Sequence, residues 1–196
     1  MKTSEKPLPP LPIQKLDHCI GLDLSLTATG ITILSKKKRI YSGVIKSKPD
    51  GKRPIDEFVR LQGIVKSIRH TIATYLEKDG KSPHLVVIEN MAFGVRNATA
   101  LTQLAGLNYL VREMCFQEKW RFILVAPMTL RKFITGSGKS DKNVMLLEIF
   151  KHYGESFFND NEADSFGLAQ IGLLFSPGAS LSVSSKRIMD MIATQL

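Results

Sequence analysis

A chain of 196 residues, 43% of them hydrophobic, holds enough apolar material for one domain with a sizeable core. No apolar run reaches the roughly 20 residues of a membrane span, and Met1 to Lys15, rich in Pro and Lys, lacks the apolar segment of a secretory signal, so a cytoplasmic location is expected. The net charge of +9 and pI near 9.6 favour a polyanionic partner, because cations attract phosphates and release their counterions. A soluble basic protein without such a partner is the plainer alternative.

The lead-in, residues 1–17, carries Pro7, Pro9, Pro10 and Pro12 and reads as flexible or extended. Apolar runs bounded by Gly and hydroxyl residues predict strands over Cys19–Leu24 and Gly30–Ser35, joined by a turn. The turn Lys36-Lys37-Lys38 reverses the chain into a third strand, Arg39–Lys46. From Pro54 the period changes. Ile55, Phe58, Val59, Gln62, Val65, Ile68 and Ile72 recur at helical spacing, and Asp79-Gly80 with Pro83 ends that helix. His84–Ile88 predicts a buried strand closing on Glu89, Asn97–Glu118 an amphipathic helix, and Phe122–Ala126 a further strand. Short helices are expected near Met128–Phe133 and Lys142–Tyr153, and a small-residue core helix over Asn161–Phe175. Residues 18–175 thus form the folded domain, and 176–196 a tail with room for one short helix. This order implies an α/β fold with a mixed sheet, an antiparallel meander followed by parallel strands.

Basic residues recur over Lys36–Arg69 and Arg131–Lys142, a pattern suited to a folded cationic surface. The two cysteines, Cys19 and Cys115, have no metal-ligand spacing and read as buried thiols.

Acids stand out against this apolar and basic background. Asp23 and Glu89 each end a strand that looks buried, where an uncompensated carboxylate costs several kcal/mol. Both lie at carboxyl ends of strands, where sheets of this kind place ligands. The core helix opens on Asp160-Asn161-Glu162-Ala163-Asp164, with Asn161 and Asp164 on one face. Oxygen ligands without His or Cys suit a hard cation, Mg²⁺ or Mn²⁺, and two such ions promote phosphodiester hydrolysis. The acids at 160–164 could equally serve as cap and dipole partners of their helix, and Glu89 could pair with a lysine.

At these positions the sequence resembles the RuvC family of Holliday-junction resolvases, within the ribonuclease H-like superfamily. The resemblance rests on Gly21-Leu22-Asp23-Leu24-Ser25 with Thr29-Gly30; on Val87-Ile88-Glu89-Asn90 with Phe93 after it; on Thr135-Gly136-Ser137-Gly138-Lys139-Ser140-Asp141-Lys142; and on Asn161-Glu162-Ala163-Asp164 followed by small and apolar residues. It spans roughly Ile20 to Leu174. It implies a ribonuclease H-like sheet with helices on both faces, and a homodimer that binds branched DNA and nicks four-way junctions symmetrically without a nucleotide cofactor. Two Mg²⁺ ions per site, replaceable by Mn²⁺, would be held by Asp23, Glu89 and Asp164, with Asp160, Asn161 or Glu162 completing the set. Lys142 would assist catalysis. Arg131, Lys132, Lys139 and Lys142 would contact DNA, and Phe93 would stack on an unpaired base. Asn161 departs from the Asp or His usual there and removes one charge. The acidic form of this motif resembles phage-encoded relatives, which would place the protein in a bacterial host's cytoplasm.

Two other nuclease-fold readings compete: a junction-binding protein without catalysis, and a ribonuclease H or transposase-like nuclease. Sugar kinases and actin-like ATPases share the first motif but need a second lobe, for which 196 residues leave no room.

Overall fold

The computed structural model describes residues 16, 18–76, 85–91, 98–176, 178–179 and 182–193. The expected lead-in Met1–Lys15, the helix stop at Asp79-Gly80 and Pro83, His84, Phe93 and Asn97 lie outside them.

Five strands form one sheet: β1 (His18–Asp23), β2 (Ala28–Ser35), β3 (Arg39–Lys46), β4 (Leu85–Glu89) and β5 (Phe122–Val125), in the spatial order β3-β2-β1-β4-β5. The first three pair antiparallel, while β4 joins β1 and β5 joins β4 in parallel. The sheet is mixed, as expected. β2 begins two residues before the expected Gly30, because Thr29 closes the preceding turn. Its hydroxyl donates to the Ser25 carbonyl at 2.7 Å and accepts the Ser25 N–H at 3.2 Å.

Helices cover both faces. α1 (Pro54–Tyr75) starts with Pro54 in its first turn, where a missing N–H costs nothing. It lies with α2 (Ala98–Gln117) on the face made by Ile20, Leu22, Ile31, Ile33, Val86 and Ile88. The opposite face, with Cys19, Leu85, Val87, Ile123 and Val125, carries α3 (Pro127–Thr135), α4 (Lys142–Tyr153), α5 (Asp160–Leu173) and α6 (Val183–Ala193). Leu16, Ile188 and Ile192 are buried in this second core. Among the described residues no helix is long and apolar enough to cross a membrane. Cys19 and Cys115 are free and buried, and burial pushes both thiols up, that of Cys115 to about 12.

Strand alternation decides where the acids point. Ile20 and Leu22 pack toward α1 and α2, so Gly21 and Asp23 face α5. Along β4, Val87 faces that side too, and Glu89 follows it by two residues. α5 can approach because the strands lack side chains beneath it. A Cβ on Gly21 would sit 1.9 Å from the Ser165 carbonyl oxygen, and one on Gly30 would sit 1.9 Å from that of Asn161. Gly172 of α5 rests in turn against Val87 and Cys19. At the crossing the buried Thr32 and Ser165 hydroxyls bond at 2.8 Å, and Ser42 adds a third hydroxyl, 2.9 Å from Thr32. These bonds satisfy polar groups that burial would otherwise penalise.

Candidate active site

Asp23 ends β1 and is only 7% exposed. Leu22 pairs with Ile88 across the parallel β1–β4 ladder, so the next residues, Asp23 and Glu89, sit side by side on the α5 face. Their carboxyl groups share a hydrogen bond, with Glu89 as donor. Burial, followed by the charge of Asp23, their hydrogen bond and the charge of Asp164, pushes Glu89 up to about 9, against a smaller pull from Arg131. Burial also raises Asp23. Asp164, one turn into α5, is raised to about 7 by burial and then by Asp23, while Lys142 and Arg131 oppose the rise. Three strand-end and helix acids thus feel one another, with two cations at their border.

The helix N-terminus separates the residues at 159–162. Asn159 is the cap, its side chain accepting the Asn161 N–H at 2.8 Å, so Asp160 is left to receive Lys142 Nζ at 2.7 Å. Lys142, at the start of α4, is raised chiefly by that hydrogen bond and further by the charges of Asp160, Asp164 and Asp23. Asn161 lies over Gly30, the residue paired with Asp23 across β1 and β2. Glu162 turns toward β3, where its charge acts on the Tyr41 hydroxyl, which is raised first by burial and then by Tyr75. Of these three, Asn161 is the one whose backbone lies over the strand pair that ends in Asp23.

Arg131 and Lys132 are exposed on α3. Arg131 acts on Glu89 and Asp164. Lys139 is exposed on the loop before α4, which is held by hydroxyls. The Thr135 hydroxyl bonds the Arg131 and Ser137 carbonyls at 2.9 Å each, and Gly136 takes a positive φ of 78°. Phe93 lies outside the described residues.

One residue emerges that the sequence did not single out. Asn108 of α2, 1% exposed, donates Nδ2 to the Glu89 backbone carbonyl at 3.4 Å, and accepts Arg112 Nε at 2.6 Å. An amide amid Leu104, Leu107 and Val111 is the signal that could have found it, because such a group needs a partner.

Among the described residues no group of three His, Cys, Asp or Glu side chains is placed to hold a metal ion as it stands. The chemistry of the donor set nonetheless fits a hard cation, being all oxygen, buried and self-repelling. Asp23 and Glu89 hold one proton between them where a cation would otherwise balance their charge.

That proton makes stability depend on pH. Unfolded Glu89 loses it near 4.5, whereas folded Glu89 keeps it to about 9. Between those values the native state binds the extra proton, so this group's contribution falls as pH rises. Thermal melts without divalent ions should therefore show Tm declining from pH 5 to pH 9. Glu89→Gln should flatten the decline and raise Tm at pH 8 by roughly 5 °C, the equivalent of 1–2 kcal/mol at this chain length. A variant no more stable than the parent at pH 8 would contradict the shared proton.

The strand order, the parallel and antiparallel pairings and the helices on both faces define a ribonuclease H-like α/β fold. Within it, the fold is that of the RuvC-type resolvases. RuvC of Thermus thermophilus in complex with a Holliday junction substrate superimposes with a TM-score of 0.61 at 18% identity, over 78% of this chain and 90% of that one. A second Thermus thermophilus RuvC structure gives 0.59 at 16% identity, over 89% and 95%. The yeast mitochondrial Holliday junction resolvase Ydc2 gives 0.58 at 15% identity, over 94% and 86%. No protein-family model and no curated protein matches the sequence.

Proposed function

We propose that this chain is a metal-dependent, structure-specific endonuclease that resolves four-way and related branched DNA junctions by paired phosphodiester hydrolysis. The observation that carries the reading is the meeting of Asp23, Glu89 and Asp164 at the carboxyl edge of a ribonuclease H-like sheet, with Arg131 and Lys142 beside them. The Thermus thermophilus RuvC complex, whose fold this chain shares, contains a Holliday junction. Mg²⁺, with Mn²⁺ as substitute, would be held by Asp23, Glu89 and Asp164, with Asn161 beside Asp23 as a neutral oxygen donor. When bound, two such ions activate water and stabilise the leaving oxygen. The protein's own groups do the rest. Burial of Asp23 limits the access of bulk water, and Asn108 holds the backbone of the half-buried Glu89. Lys142 and Arg131 bring positive charge to the phosphate. A homodimer would place two such sites about a two-fold axis. The exposed Phe58 on α1, with Tyr109 and Phe116 on α2, supports such an interface.

Asn161 favours a second reading, junction binding without cleavage, because an amide replaces one charge of the set. One assay separates the readings. The protein is incubated with a synthetic four-way junction, a linear duplex and an RNA–DNA hybrid, in Mg²⁺ or Mn²⁺. Paired nicks in the junction alone are expected. Cutting of the hybrid would move the protein to a ribonuclease H class, and binding without nicking in either metal would establish the second reading.

A further inference from the structure

The end of β3, the loop after it and the adjoining side of α1 enclose a groove of about 460 Å³, away from the carboxylates. Lys46, Lys48 and Arg60 line it, with Ser67 and the acids Asp50 and Asp56. Asp56, in the first turn of α1, is neutralised by Arg53 at the end of the loop, accepting its N–H at 3.0 Å and its guanidinium at 2.6 Å. Gly51, at φ 113°, lets the loop fold onto that carboxylate. Lys46 and Lys48 are exposed and bring two positive charges against the remaining acid, Asp50.

Two further features give the groove a direction and a floor. β3 runs parallel to β1 with β2 between them. Lys46 therefore ends its strand at the same edge of the sheet as Asp23, two strands across and two residues further along, roughly 12 Å away. Arg60 ties the two places together, donating to Ser47 Oγ at 3.0 Å and to the Leu26 carbonyl in the turn that follows Asp23. The floor is Gly63, in the interior of α1, where a Cβ would meet nothing within 4 Å. No internal contact requires this glycine, and it costs the helix up to about 1 kcal/mol relative to Ala. Its absent side chain leaves room for a ligand to approach the helix.

We propose that this groove is a second phosphate-binding station, which grips the sugar–phosphate backbone of a DNA strand on the side of the carboxylates opposite Arg131 and Lys142. The proposal rests on the nuclease reading above and adds to it the path of the strand, along the sheet edge from α3 past Asp23 to α1.

The test is binding of the full chain to a fluorescent four-way junction, across roughly 50 to 300 mM salt without divalent metal. The double variant Lys46→Gln/Lys48→Gln should weaken binding about tenfold and reduce the slope of log Kd against log salt by 1–2, as loss of one or two phosphate contacts requires. Gly63→Gln introduces no charge and favours the helix. It should hold or raise Tm while weakening junction binding severalfold. If wild type binds but all variants match it in affinity and slope, the groove is not a station. If wild type fails to bind the junction at any salt, the nuclease reading itself falls and takes this proposal with it.

Discussion

Asp23→Asn should remove junction cleavage, by a factor of at least about 10³, while the protein continues to fold and to bind the junction. The substitution keeps the volume of the side chain and its ability to hydrogen-bond Glu89, and deletes one charge from a position only 7% exposed. Two measurable effects accompany the loss. Affinity for the junction holds or increases, because one source of repulsion toward phosphate has gone. The Glu89 carboxyl also titrates lower than about 9, since the charge of Asp23 is a principal cause of its rise after burial. Nicking kinetics, anisotropy and a pH titration of stability read the three quantities. Loss of binding together with a lower Tm would make Asp23 a structural residue and remove the basis for the metal site.

Gly21→Ala should be the most damaging single methyl in the described structure. Its Cβ would lie 1.9 Å from the Ser165 carbonyl oxygen and 2.6 Å from the Ala169 nitrogen, both backbone atoms of α5. A flexible side chain could turn aside, but a helix backbone can only move away. Moving it opens the Thr32–Ser165 hydrogen bond and draws Asp164 back from Asp23. A cost of about 3 kcal/mol or more is expected, a Tm lower by roughly 10 °C, with cleavage reduced further than unfolding accounts for. Gly30→Ala strikes the Asn161 carbonyl in the same way, at the open end of the helix. It should cost less stability and lose comparable activity. A fully stable, fully active Gly21→Ala protein would mean that α5 is not seated as described.

The strand-end acids were legible in the sequence because Asp23 and Glu89 interrupt apolar runs, and strand periodicity alone puts them at one edge. The mixed character of the sheet, an antiparallel meander and then parallel strands, followed from the succession of short and long connections. What sequence could not supply was the pose of α5. Nothing in Asp160-Asn161-Glu162 says which residue faces Asp23, since that depends on the rotation of a helix about its axis. The rotation is set by distant residues, Gly21, Gly30 and Gly172, whose role is visible only as missing volume. The same holds for Lys142, a plausible phosphate contact by position, which here reaches Asp160. Asn108 escaped notice because its link to the site is a backbone atom, the Glu89 carbonyl, which the sequence does not mark.

The seating of α5 on β1 and β2 has a consequence for the timing of synthesis. Asp23 and Glu89 emerge from the ribosome well before Asp164, and the helix that carries Asp164 also fills the hollow over the glycines. A chain lacking residues 160–173 therefore has neither its third acid nor the helix that packs Ala163, Phe166, Leu168, Ala169 and Ile171 into this core. On the nuclease reading proposed above, cutting ability would therefore arrive only with completion of the fold.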